Sequence, residues 1–297
     1  MDTRIVAAKV IDGIAIARKV RTGIRARAQA LIEGHGVRPG LAVIMAGENA
    51  ASAVYVRNKV RACGEVGIHS EVLRFPATVA EAELLDCIRE LNASPSIHGI
   101  LVQLPTPPTI SVRRVLETIS ADKDVDGFHL YNVGGLVIGD TVFPPCTPYG
   151  VQKILEHEGI TLEGKNVTVV GASNIVGKPM ALMLMQREAT VAICHAKTRD
   201  LAQYTILADI LVVAAGHPGL IVPQMIRTGA VVIDVGINRL ADGRLVGDVD
   251  FEAVKDKASY ITPVPGGVGP MTVTMLLDNT VAAAERAVKK QRSPVYG

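Results

Sequence analysis

The run "VVGASNIVGKP" occupies residues 169–179. An apolar segment, Val167 to Val170, ends in Gly171; Gly177 follows, and a helix-like stretch from Met180 to Gln186 comes next. A loop that leaves a parallel strand and opens a helix sets backbone N–H groups and the positive end of the helix dipole where an anion can sit. Gly171 permits the tight turn, and Gly177 lets the helix pack closely on the strand. Ser173 replaces the middle glycine of the usual dinucleotide fingerprint and brings a hydroxyl able to donate to a phosphate oxygen. The spacing alone fits an ordinary strand-to-helix turn equally well. Its surroundings favour a dinucleotide: "NVTVV", "TVAICHA", "DILVVAAG", "GAVVIDVG" and "SYITPVPGG" come at roughly even spacing, and "AAGHPG" (214–219) and "VGIN" (235–238) bring more glycines to the same edge. Residues 148–272 therefore read as a Rossmann-type domain.

An NAD site places an acidic residue about 20 positions past the first glycine, on the ribose hydroxyls. Here that region reads "CHAKTRD", with Lys197 and Arg199 just after the strand end. A cation there favours the 2′-phosphate of NADP; the alternative is that both are solvated loop charges.

The first half of the chain alternates helix and strand patterns. A helix from about Gly13 to Glu33 with Asp12 as its cap precedes the strand "GLAVIMAG"; helices near 51–66 and 79–91 flank "SEVLRF", and "IHGILVQLP" closes the series. Short apolar strands separated by helices imply a parallel sheet with ligands beyond its carboxyl ends. "GDTVFPPCTPYG" (139–150) holds three prolines, which disfavour helix interiors and central strands, and the domain boundary is placed there. The class is α/β with two domains, 1–147 and 148–272, followed by a terminal helix from about Thr272 to Val288.

Hydrophobic residues make up 48% of the 297, charged residues 20% and aromatics 3%, which suits Val/Ile/Ala-rich strands covered by helices. A net charge of +2 without a basic block points away from nucleic acid and anionic membranes. Cys63, Cys87, Cys146 and Cys194 form no C-x-x-C pair and read as thiols in a reducing compartment. "MDTRIVAAKVIDG" has no long apolar run and carries Asp2 and Asp12, so neither a secretory signal nor a transit peptide is expected, and a cytoplasmic location is. No metal site is assigned, because the seven histidines form no ligand-spaced cluster.

In "SAVYVRNKVRACGEVG", Val56, Val60, Cys63 and Gly67 share the core-facing stripe, with Tyr55 and Lys59 four apart on its flank. Lys59 is either an acid–base group held beside an apolar surface or a lysine snorkelling past a half-buried tyrosine. Gln103 ends the buried strand Gly99–Val102, and is read either as an amide at the ligand-binding edge or as a routine strand-end amide capping a loop. "DKDVDG" (122–127) begins like a calcium loop but has Val133 where the twelfth-position glutamate belongs. It is read as a turn with one carboxylate aimed at a ligand, or as a solvated acidic turn. "PVPGGVGPMT" (263–272) is too rich in proline and glycine for regular structure.

Together "YVRNK", "GILVQLP", "DKDVDGFHLYN", "PCTPYG", "GASNIVGKP", "VIDVGIN" and "YITPVPGGVGPMT" resemble the bifunctional methylenetetrahydrofolate dehydrogenase/methenyltetrahydrofolate cyclohydrolase family, from about residue 5 to 285. The resemblance implies a folate-binding catalytic domain, completed by the C-terminal helix 273–297, that faces an NADP-binding Rossmann domain across a cleft, and a homodimer formed through the Rossmann domains. It implies roles for Tyr55, for Lys59 as the catalytic lysine, for Gln103, and for Asp126 as the folate anchor, with cofactor contacts at Gly171, Ala172, Ser173 and Ile237. Ala196 stands where many relatives have a serine near the 2′-phosphate, which leaves that contact to Lys197, Arg199 or backbone. The implied function is NADP-dependent oxidation of 5,10-methylenetetrahydrofolate, then hydrolysis of the methenyl product to 10-formyltetrahydrofolate. A dehydrogenase lacking the second activity is disfavoured by the intact Tyr55, Lys59 and Gln103 set. A noncatalytic dinucleotide sensor is disfavoured because no partner surface or DNA-binding element is evident.

Overall fold

The computed structural model describes residues 7–47 and 50–292. The chain forms two compact units: Lys19–Cys146 with the segment from Val273 onward, and the segment through Arg18 with Thr147–Thr272.

The first unit carries a three-stranded parallel sheet with Gly40–Ala46 between His69–Phe75 and Gly99–Val102. The central strand is apolar on both faces and almost wholly buried, as a parallel strand covered by helices must be. Leu84, Leu85 and Ile88 of the helix Glu81–Ala93 pack on one face with Ile44, Ile100 and Val102. A single parallel bridge sets Asp124 beside Ile100, whose amide donates to the Lys123 carbonyl at 2.8 Å.

The second unit carries six parallel strands in the order Lys9–Val10, Tyr260–Ile261, Val231–Asp234, Ile210–Val213, Asn166–Val170, Thr190–Cys194. From Asn166–Val170 the chain goes to one neighbour, then crosses back to the other. The carboxyl ends of Asn166–Val170 and Ile210–Val213 therefore flank the topological switch point where nucleotides bind in such sheets.

Two features depart from the sequence reading, the place of residues 8–11 and the start of the terminal helix. Residues 8–11 join the second sheet through backbone bonds to Lys255, Ser259 and Ile261, so the start of the described chain lies with the second unit and not with residues 19–146. A strand pair of two residues is too short to show periodicity. The proline-rich boundary region enters a helix, Cys146–His157, and "PVPGGVGPMT" likewise enters the helix Val268–Arg292. Pro148 and Pro270 sit in the first turns, where the N–H that proline lacks has no helical partner anyway. The cap at Asp12 is present: its Oδ1 accepts from the amides of Ile14 and Ala15, at 3.0 and 2.9 Å. Among the described residues no helix is long and apolar enough to cross a membrane.

Candidate active site

The helix Ala50–Val66 buries Val56 and Cys63 and leaves Lys59 half-buried on their flank. Lys59 Nζ donates to Gln103 Oε1 at 3.0 Å. Gln103 is fixed on both sides: its Nε2 donates to the Leu104 carbonyl at 2.9 Å, and its own amide donates to the Ile44 carbonyl. The side-chain oxygen consequently has one orientation, toward the lysine. Tyr55, one turn earlier, is 39% exposed, and its hydroxyl has no hydrogen-bond partner among the described residues. The structure brings Lys59 and Gln103 together and leaves Tyr55 open on the same flank.

The three aspartates of "DKDVDG" have separate fates. Asp122 pairs with Lys290 at the surface. Asp124 is buried and engaged within the turn, accepting from the His129 amide at 2.7 Å and Asn132 Nδ2 at 2.8 Å. Asp126 accepts only a long bond from the Cys146 thiol, at 3.7 Å. Burial pushes the Asp126 carboxyl up to about 6, with the Lys59 ammonium opposing that shift and the Asp124 charge adding to it. A half-buried carboxylate with little internal use is equipped to accept hydrogen bonds from a ligand.

Sequence reading did not find the supports of this turn. The Cys146 thiol, itself pushed up by burial, donates to the Val125 carbonyl at 3.3 Å. Asn279, from the terminal helix, donates to the Val125 and Pro144 carbonyls at 2.8 and 3.0 Å. Nothing local marks Asn279, because its partners lie far away in the chain.

In the second unit, Gly171 has φ +121°, and a Cβ there would fall 2.1 Å from the Ala214 carbonyl oxygen; a Cβ on Gly177 would fall 1.9 Å from that of Gly171. Both glycines are required by close backbone approach at the switch point. Ser173 Oγ accepts from the Val176 and Gly177 amides at 3.1 and 3.3 Å, so it shapes the loop and keeps its hydroxyl hydrogen for a ligand. Those two amides are accordingly not free for a phosphate, whereas those of Ser173, Asn174 and Ile175 have no partner among the described residues. Ile237 is exposed at the neighbouring strand end. Lys197 and Arg199 are exposed and carry no ion pair among the described residues, on a turn closed by the Thr198 hydroxyl accepting from the His195 amide. This half of the molecule fits a dinucleotide with an additional phosphate.

Residues 11–126 match the catalytic domain of tetrahydrofolate dehydrogenase/cyclohydrolase, and residues 145–288 match the NAD(P)-binding domain of the same enzymes. The chain belongs to the tetrahydrofolate dehydrogenase/cyclohydrolase family. It is an enzyme with the two activities in that description. The bifunctional protein FolD of Nitrosospira multiformis is 61% identical over 95% of this chain and 97% of its own, and that of Polynucleobacter asymbioticus is 60% identical over 95% and 99%. Among solved structures, the bifunctional dehydrogenase/cyclohydrolase FolD of Campylobacter jejuni is 50% identical, with a TM-score of 0.92 over 94% of this chain and 99% of its own. The Trypanosoma brucei FolD, solved with NADP and an inhibitor, is 40% identical, with a TM-score of 0.93 over 96% and 99%. The two-domain fold, with a parallel Rossmann-like sheet in the nucleotide domain, is that of this family.

Proposed function

We propose that one folate site, built from Tyr55, Lys59, Gln103 and Asp126, serves both reactions, and that NADP⁺ is needed only for the first. The observation that carries this reading is the Lys59–Gln103 hydrogen bond, together with a carboxylate, Asp126, that feels the Lys59 charge and that the protein itself leaves almost unused. A pterin presents an amino group and a ring N–H side by side; Asp126 accepts from both, a charge-assisted pair that fixes the ring. Bound NADP⁺ supplies the hydride acceptor. The methylene carbon loses a hydride and becomes the methenyl cation, a step that needs alignment more than a proton acceptor. Water then adds to that carbon and gives up one proton; the remaining hydroxyl proton of the adduct passes to N5 as the bond to N5 opens, leaving the 10-formyl product. Lys59, held by Gln103, orients this water and, in its uncharged amine form, takes its proton, a contribution typically worth about 10² to 10⁴ in rate. Tyr55, open on the same flank, lies against the folate.

NADP over NAD is supported by Lys197 and Arg199, two exposed cations at the position where an NAD site carries an acid. The Ser173–Ile175 amides and the Ser173 hydroxyl would hold the pyrophosphate, with Gly171, Ala172 and Ile237 lining the approach. A homodimer is supported by the edge strand Thr190–Cys194, where Ile193 is exposed, and by nearby Tyr204 and Leu207, the latter 68% exposed. The free thiols of Cys63, Cys87, Cys146 and Cys194 agree with a cytoplasmic setting. The test is turnover of methylenetetrahydrofolate with NADP⁺ or NAD⁺, following reduced nicotinamide and 10-formyl product together. Turnover should favour NADP⁺ in kcat/KM, and equal values would refute the assignment of Lys197 and Arg199.

A further inference from the structure

A fully buried carboxylate lies beneath the nucleotide edge, outside every role described above. Asp248 is wholly buried, yet the hydrogen bonds of its carboxylate run to loops at the carboxyl ends of two adjacent strands. Its Oδ2 accepts from the amides of Ala215 and Gly216 at 2.7 and 2.9 Å; its Oδ1 accepts from the His217 amide and Asn238 Nδ2, both at 2.8 Å. The first loop follows the strand Ile210–Val213, and the second follows Val231–Asp234. The first contains the segment next to Ala214, whose carbonyl abuts Gly171; the second contains Ile237.

Three consecutive N–H groups turned to one side form a concavity that binds anions. Here the protein fills that concavity with its own carboxylate, and the residues above it, Ala215 to His217, are exposed. Asp248 is held in turn: Asp234 Oδ1 accepts from the Asp248 amide at 3.0 Å and from the Gly236 amide at 2.9 Å, while Oδ2 accepts from the Val249 amide at 2.9 Å. The fit is tight, since a Cβ on Gly236 would lie 2.3 Å from the Asp248 carboxyl carbon. A longer acid has no room there.

We propose that Asp248 is a positioning residue for the nucleotide, acting through the backbone it holds. By tying the Ala215–His217 loop to the Ile237–Asn238 turn it gives the nucleotide edge its shape before NADP⁺ arrives. By occupying the amides of residues 215–217 it leaves the Gly171 loop as the phosphate cradle. This rests on reading that edge as the NADP⁺ site.

Asp248→Asn tests it, because an amide in place of the carboxylate turns an NH₂ toward two donors and breaks two bonds whichever way it lies. Asn238→Ala cuts the tie between the loops, along with a long bond to the Val246 carbonyl at 3.5 Å, leaves the three amide bonds to Asp248 in place and guards against a first variant that fails to fold. NADP⁺ affinity by calorimetry, the NADP⁺ KM and kcat of dehydrogenation, and hydrolysis of methenyltetrahydrofolate without nucleotide are measured for both variants and the parent. We expect NADP⁺ affinity to fall roughly tenfold or more, as for loss of a charge-assisted hydrogen bond, with a matching rise in KM, a smaller change in kcat and unchanged hydrolysis. Variants that bind NADP⁺ as the parent does, or that lose hydrolysis in step with dehydrogenation, overturn the positioning role. A parent that binds no NADP⁺ would instead overturn the reading of the edge on which it rests.

Discussion

Asp124 and Asp126 stand two residues apart in one turn. Asp124 accepts from the His129 amide and Asn132, and removing it leaves those buried donors unpaired; Asp126 has only the Cys146 thiol. With its carboxyl pushed up to about 6, Asp126 takes up a proton as pH falls through that value and can no longer accept from both pterin N–H groups. The folate kcat/KM should therefore fall about tenfold per pH unit below 6, and Asp126→Asn should lack that limb. The same shift bears on stability. A folded-state value raised above the unfolded one favours the folded protein at low pH, and this advantage is lost as pH rises through about 6. Asp126→Asn should accordingly gain about 1 to 3 kcal/mol of stability at pH 7.5, read by thermal or urea unfolding, while losing folate affinity. Lys59 is tested differently. Lys59→Met should lower methenyl hydrolysis by about 10² to 10⁴ and dehydrogenation much less, so that methenyltetrahydrofolate accumulates from methylenetetrahydrofolate and NADP⁺. Equal losses would make Lys59 a substrate-positioning group for both steps.

The glycine loop and the terminal helix show what local sequence can and cannot specify. Gly171 and Gly177 were legible because a tight turn and a close helix approach each demand a residue type at a fixed offset, whereas Ser173 was read as a phosphate donor and not as the acceptor for the Val176 and Gly177 amides. The strand series was legible because parallel strands buried on both faces read as unbroken apolar runs. Gly177→Ala places a Cβ 1.9 Å from the Gly171 carbonyl oxygen, so the helix Gly177–Met185 must shift. We expect NADP⁺ turnover to collapse and nucleotide-free hydrolysis to persist; intact NADP⁺ kinetics would mean the loop yields without cost. Lys9–Val10, Asn279 and Asp248 were not legible, since each is defined by partners distant in the chain: Tyr260, Val125 and Ala215. Tyr55 and Lys59 lay between. Their helical offset was clear, but the fixed Gln103 oxygen that orients Lys59 depends on a strand end 44 residues further along the chain. Asn279→Ala should unfold earlier by about 1 to 3 kcal/mol, as expected for a buried amide that leaves carbonyls unpaired.

Across the whole molecule, the catalytic-domain and NAD(P)-binding-domain matches fall largely on two units, each built on its own parallel sheet. If the proposed homodimer uses the strand Thr190–Cys194, Leu207→Glu with Ile193→Glu should convert it to monomers in sedimentation, and dimers that survive would move the interface elsewhere. The central claim is that one folate site serves two reactions and that the nucleotide serves one. The direct measurement compares Asp126→Ala with the parent in three constants: the folate KM of dehydrogenation, the folate KM of methenyl hydrolysis and the NADP⁺ KM. The account predicts that both folate constants rise by the same factor, roughly 10- to 100-fold for a lost charge-assisted pair, while the NADP⁺ constant stays put. A rise in only one folate constant, or in neither, would contradict it.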